Sequence, residues 1–118
     1  MTGKVTGIGG LFFRARDPQT LAAWYATHLG VGGDPVWPQE AGPTVFAPFK
    51  ADTDYWPERT QWMLNLRVTG LDDLLARLAA AGIEAETRPE EWDHPEVGRF
   101  ARIHDPEGNP IELWEPPA

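Results

Sequence analysis

The side chains able to do chemistry in this chain are carboxylates, arginines and three histidines. There is no cysteine to serve as a thiolate nucleophile, half of a disulfide or a soft metal ligand. Any metal would rest on histidine and carboxylate. The densest such group is Glu90, Glu91, Asp93, His94 and Glu96, interrupted by Trp92 and by prolines at 89 and 95. The prolines make it a solvated loop, and no fixed ligand spacing marks a cation site. His28 falls on the apolar side of a helical pattern with Leu21, Trp24 and Tyr25, where a packed histidine is expected. His104 adjoins a turn and reads as solvent-facing or as a partner of that turn. Eighteen acidic residues against ten basic ones give a net charge of -8. Such a surface repels phosphate backbones and anionic headgroups, which argues against nucleic acid as a partner. The excess of acid favours solubility and suits a cationic ligand.

The elements that position these groups come from a chain of 118 residues, enough for a single domain over 1–118 that buries roughly two-thirds of its unfolded surface. With 42% hydrophobic residues, six Trp and five Phe, it is too apolar for disorder. No run reaches the ~18 apolar residues of a membrane span, and residues 1–10 carry no signal-peptide pattern. The expected setting is the cytoplasm, with no membrane partner.

The chain says nearly the same thing twice. Residues 7–14 form an apolar run of strand length, and Asp17-Pro18 supplies an N-cap and a first helical position. Leu21, Trp24, Tyr25 and Leu29 then recur at helical spacing, with Gly30 as the stop. In the second half, residues 61–68 read as a mostly buried strand closed by Thr69-Gly70. A helix with Leu71, Leu74, Leu75 and Leu78 on one face follows, and Gly82 ends it. A shift of 53 residues places Gly10 on Met63, Arg14 on Arg67 and Leu21 on Leu74. A duplicated unit follows, module one about 1–55 and module two about 60–118, joined near 51–60. Further strands are expected over 31–37, 44–49, 83–87, 99–104 and 110–115. The last two form a hairpin around Asp105-Pro106-Glu107-Gly108-Asn109, which holds the residue types that turns need.

Arg16-Asp17, the helix with Trp24-Tyr25 and Leu29-Gly30, the second strand and helix, and the ending Asp105-Pro106-Glu107-Gly108-Asn109-Pro110-Ile111-Glu112-Leu113 together resemble the vicinal oxygen chelate superfamily. This is the glyoxalase, bleomycin-resistance and extradiol-dioxygenase group. The resemblance covers almost the whole chain. It implies an α+β fold in which two tandem βαβββ modules form a concave mixed β-sheet around a cavity, commonly as a homodimer. It also implies a divalent metal held by His, Gln or Glu on the first strand and at a late strand position of each module. Here the first-strand positions are Gly10, with no side chain, and Met63, whose thioether suits soft metals. Residues 47–49 offer no ligand, and Glu112 alone keeps a ligand type. We therefore expect no metal cofactor.

If Gly10 and Met63 face the cavity, strand alternation brings Phe12, Asn65 and Arg67 with them, and Glu112 brings Trp114. Counting back across the hairpin sets Arg102 opposite Glu112 and Phe100 opposite Trp114. The expected ligand-binding lining is thus Phe12, Met63, Asn65, Arg67, Phe100, Arg102, Glu112 and Trp114, mostly apolar with a few convergent polar groups. Glu112 and Arg102 are expected to form an internal ion pair. Trp56, Trp62 and Trp92 could close over the mouth or bury a dimer contact. By resemblance to the bleomycin-resistance proteins, the function is binding of a small, partly aromatic or cationic molecule without the metal. Two alternatives stand beside it: a lyase or isomerase with Glu112 as general base and Arg102 or Arg67 stabilising an oxyanion, and a divalent-metal enzyme with relocated ligands.

Overall fold

In a computed structural model that describes residues 3–32 and 36–118, the helix signals of the sequence are met closely. Helix α1 spans Pro18–Leu29. Asp17 caps it by accepting the Thr20 N–H at 3.1 Å, Pro18 opens it, and Gly30 ends it in the left-handed region with φ of 65°. Helix α2 spans Leu71–Ala80, with Asp72 and Asp73 in its first turn. Its N-cap, Gly70, has no side chain to offer, so the Leu71 N–H is met from across the fold by the Glu115 carboxylate at 3.1 Å.

Strands β1 (Leu64–Arg67), β2 (Arg99–His104) and β3 (Pro110–Glu115) make a mixed sheet in the order β1-β3-β2. The central strand β3 runs parallel to β1 and antiparallel to β2. Ala101, Ile103, Ile111 and Leu113 are fully buried and share one core cluster with Leu21 and Tyr25 of α1 and Leu71 and Leu78 of α2. Fully burying each aliphatic side chain contributes about 1.5–3 kcal/mol. Alternation along the strands then turns Phe100, Arg102, Glu112 and Trp114 to the opposite face.

The strands expected over 7–14, over 44–49 and in the described part of 31–37 do not form, and residues 33–35 of that last stretch lie outside the described residues. A strand needs a partner edge. Gly7, Gly9 and Gly10 raise the entropic cost of fixing the first segment, and Pro43 and Pro48 remove ladder donors around the other. Phe12, Val45 and Phe46 are accordingly exposed. The 83–87 strand is reduced to one bridge, Glu86 with Arg102. The loop expected between the prolines carries one helical turn, α3 (Pro89–Trp92), because the fixed φ of Pro89 suits a first helical position. Among the described residues no helix is long and apolar enough to cross a membrane.

The turn motif at 105–109 is a structural clamp. Asp105, almost fully buried, accepts the backbone N–H groups of Glu107 and Asn109 at 2.9 and 3.0 Å, the Asn109 amide at 2.8 Å and the Tyr25 hydroxyl at 2.7 Å. Burial, and after it the bond to Asp105, push the Tyr25 phenol far above its ordinary range. Glu107 reaches back to the start of α1 and accepts the N–H groups of Arg16 and Asp17 at 2.6 and 3.0 Å. Those two donors hold its carboxyl below the usual value. The motif thus ties the second half of the chain to the helix of the first.

Candidate functional site

The sheet face turned away from the core gathers the polar groups. Cross-strand pairing sets Asn65 and Arg102 on either side of Glu112, and Arg67 and Phe100 on either side of Trp114. The hairpin count from the sequence gives the same Arg102–Glu112 and Phe100–Trp114 pairs. Phe100 and Trp114 stack with ring centroids 6.4 Å apart and planes 8° from parallel. The Trp114 indole donates to the Val97 carbonyl at 2.8 Å.

Glu112 is 8% exposed and takes two hydrogen bonds, from the Asn65 amide at 2.8 Å on one oxygen and from the Tyr55 hydroxyl on the other. Arg102 is also 8% exposed. Its Nη2 donates to the Tyr55 carbonyl at 2.9 Å, and its guanidinium lies 4.9 Å from the Tyr55 ring centre and 5.7 Å from that of Trp92. Its Nε has no hydrogen-bond partner among the described residues. The expected Arg102–Glu112 ion pair is therefore replaced, because Tyr55 inserts its hydroxyl at one group and its carbonyl at the other. Burial, and next the bond to Glu112, push the Tyr55 phenol up to about 12.

Other members of the expected lining stand apart. Phe12 is 97% exposed, because the strand that would carry it does not form. Met63 is half-buried and precedes β1. Arg67 spends its guanidinium on the carbonyls of Glu40 and Pro43 at 2.7 and 2.5 Å, holding the loop after the first helix. Gly42 lies so close that a Cβ there would come within 2.6 Å of the Arg67 Nε. His28 packs against Trp24, with ring centres 5.5 Å apart, and His104 is exposed.

Tyr55 is the residue that sequence reasoning missed. It arrives from the expected joint between modules, where an aromatic pair, Tyr55-Trp56, among turn residues is the only signal. Its ring lies nearly parallel to Phe49 at 6.0 Å and meets the edge of Trp92 at 6.2 Å, while Phe49 also packs on Trp56 at 4.9 Å. These rings fill the space where the sequence predicts an open cavity. Trp92 lies over Arg102, its ring centre 5.7 Å from the guanidinium, whereas Trp62 is exposed. Two concavities lie elsewhere, about 240 Å³ beside Arg16, Leu21 and Glu107 and about 550 Å³ beside Leu75, Ala79 and Ile83. Neither offers buried polar groups free to recognise a ligand, since Glu107 is already engaged by backbone and the second is mostly apolar.

The residues do not fit the divalent metal of the superfamily. Gly10 offers no atom, Met63 offers a thioether, and both oxygens of Glu112 already accept hydrogen bonds. Among the described residues no three His, Cys, Asp or Glu side chains gather closely enough to hold an ion.

Comparison with curated proteins gave no match. Among solved structures, TnmS3, an antibiotic binding protein from Streptomyces sp. CB03234, is 24% identical, with 95% of this chain and 97% of that chain covered and a TM-score of 0.57. A glyoxalase/bleomycin resistance protein from the same organism is 26% identical over 83% of this chain and 90% of that one, with a TM-score of 0.47. Residues 10–114 match the model of the glyoxalase-like domain, and the chain therefore belongs to that family, within the vicinal oxygen chelate superfamily it resembles.

Proposed function

We propose that this chain is a small-molecule binding protein whose site is the Glu112–Arg102 face of the sheet, working without the superfamily's metal. The observation that carries the reading is Arg102: a buried, charged side chain under aromatic rings, with its Nε unsatisfied beside a carboxylate that already has its donors. A buried unsatisfied donor costs about 1–3 kcal/mol, and a ligand acceptor would relieve that cost. TnmS3, a protein of the same fold, binds an antibiotic, and the ligand class we assign to this chain is a partly aromatic or cationic small molecule. Proton transfer by Glu112 is the less favoured use, since both its oxygens are held by Tyr55 and Asn65.

We further propose that the apolar segments 7–14 and 44–49 complete the βαβββ unit of module one against a second copy of the chain. The exposure of Phe12, Val45 and Phe46 supports this. Sedimentation should give a dimer at micromolar concentration, and a monomer would refute it.

A thermal-shift screen of the chelator-treated protein tests the main reading. Aromatic ligands at 100 times their Kd should add about 2.7 kcal/mol of stability, while divalent ions alone should add none. A metal response at one ion per chain would overturn it. Glu112→Gln, whose amide oxygen still accepts a hydrogen bond, should retain binding weakened by no more than about tenfold; a turnover reaction that collapses in this variant would instead establish the lyase or isomerase use.

A further inference from the structure

We infer that Tyr55 is a built-in stand-in for the ligand, and that the site recognises a planar aromatic ring bearing a hydroxyl group. This rests on the binding function proposed above and narrows its ligand class. The phenol of Tyr55 is held as a bound phenol would be. Its hydroxyl donates to Glu112, whose other oxygen is fixed by the Asn65 amide at 2.8 Å. One face of its ring meets the Arg102 guanidinium at 4.9 Å, and the ring lies within 17° of parallel to Phe49. Hydroxyl acceptor, cation and aromatic walls therefore form one receptor for a phenol, and the chain's own side chain fills it.

The segment that carries Tyr55 is arranged to leave as a unit. Its backbone hydrogen bonds close on themselves, Thr53 N–H to Lys50 and Thr60 N–H to Pro57, and Trp56 donates to Thr60 within the same stretch. Among the described residues, two hydrogen bonds join it to the sheet, both at Tyr55: the hydroxyl donates to Glu112 and the carbonyl accepts from Arg102. A hydroxyaromatic ligand replaces the first bond like for like. A ligand without the hydroxyl would leave the Glu112 oxygen without its donor, a loss that discriminates strongly between near-identical molecules.

Isothermal titration with 2-naphthol and its methyl ether, 2-methoxynaphthalene, tests this on the unaltered chain. 2-Naphthol should bind about tenfold more tightly than the ether, as one charge-assisted hydrogen bond implies. Tyr55→Phe, which keeps the ring and removes the competing hydroxyl, should tighten both compounds by about tenfold, since both must displace the segment, and leave the preference for 2-naphthol in place. Equal affinity for the two compounds, or a Tyr55→Phe variant with unchanged or weaker 2-naphthol binding, overturns the inference. Binding of the cationic dye proflavine without any preference for the hydroxyl overturns it too, while leaving the binding function standing. No heat with any of the three compounds overturns both.

Discussion

Replacing Tyr25 with phenylalanine removes one oxygen from the core and leaves the ring in place. That oxygen sits 2.7 Å from the Asp105 carboxylate, between two residues 7% and 4% exposed, so water cannot readily take its place. A hydrogen bond to a buried charge is worth about 1.5–3 kcal/mol. The lower figure applies, because Asp105 keeps three other donors from Glu107 and Asn109. For 118 residues the unfolding entropy is about 0.25 kcal/mol per degree. Tyr25→Phe should then lower Tm by about 6 °C in calorimetry. Asp105→Ala strands all four donors and should cost more, about 3–5 kcal/mol. Because the two residues touch, the double variant should show a coupling energy of about 1 kcal/mol or more. A Tyr25→Phe protein that melts within about 1 °C of the original would refute the clamp and the structural role of the 105–109 turn.

Gly98 holds a φ of +126°, and a Cβ there would collide with the Glu115 carbonyl oxygen; Gly98→Ala should lose about 2–4 kcal/mol in urea denaturation. Arg102→Met removes a buried charge with an unsatisfied donor, so stability should change by less than about 1 kcal/mol while the thermal shift produced by 2-naphthol is lost. The Glu107 carboxyl titrates below its ordinary 4.5 in the folded chain, so its contribution is present above that value and is lost as pH falls through the lowered folded value. Glu107→Gln should therefore flatten the acid limb of the stability curve below pH 4.5, measured by chemical denaturation at each pH.

What is legible in the sequence is local. Asp17-Pro18 and Gly30 bound α1 because caps act within a few residues, and the hairpin places Arg102 against Glu112 because turn length sets register. Alternation puts Glu112 and Trp114 on one face, and the register of β1 against β3 adds Asn65 to it. The rest depends on distant partners. Tyr55 meets Glu112 across 57 positions and Glu107 meets Arg16 across 91, and no periodicity encodes either contact. The DPEGN ending carries the family resemblance, yet its two carboxylates are spent on backbone groups, Asn109 and Tyr25. The apolar pattern of residues 7–14 suits a strand, but a pattern does not supply the neighbouring edge a strand needs.

The most direct test of the central claim is a ¹H–¹⁵N NMR titration of the native chain with 2-naphthol. Binding at the Glu112–Arg102 face should shift the backbone signals of Tyr55, Asn65, Arg102 and Glu112 and the indole N–H signals of Trp92 and Trp114. Shifts confined to Leu75, Ala79 and Ile83, or to Arg16, Leu21 and Glu107, would place the ligand in one of the other concavities and contradict the account.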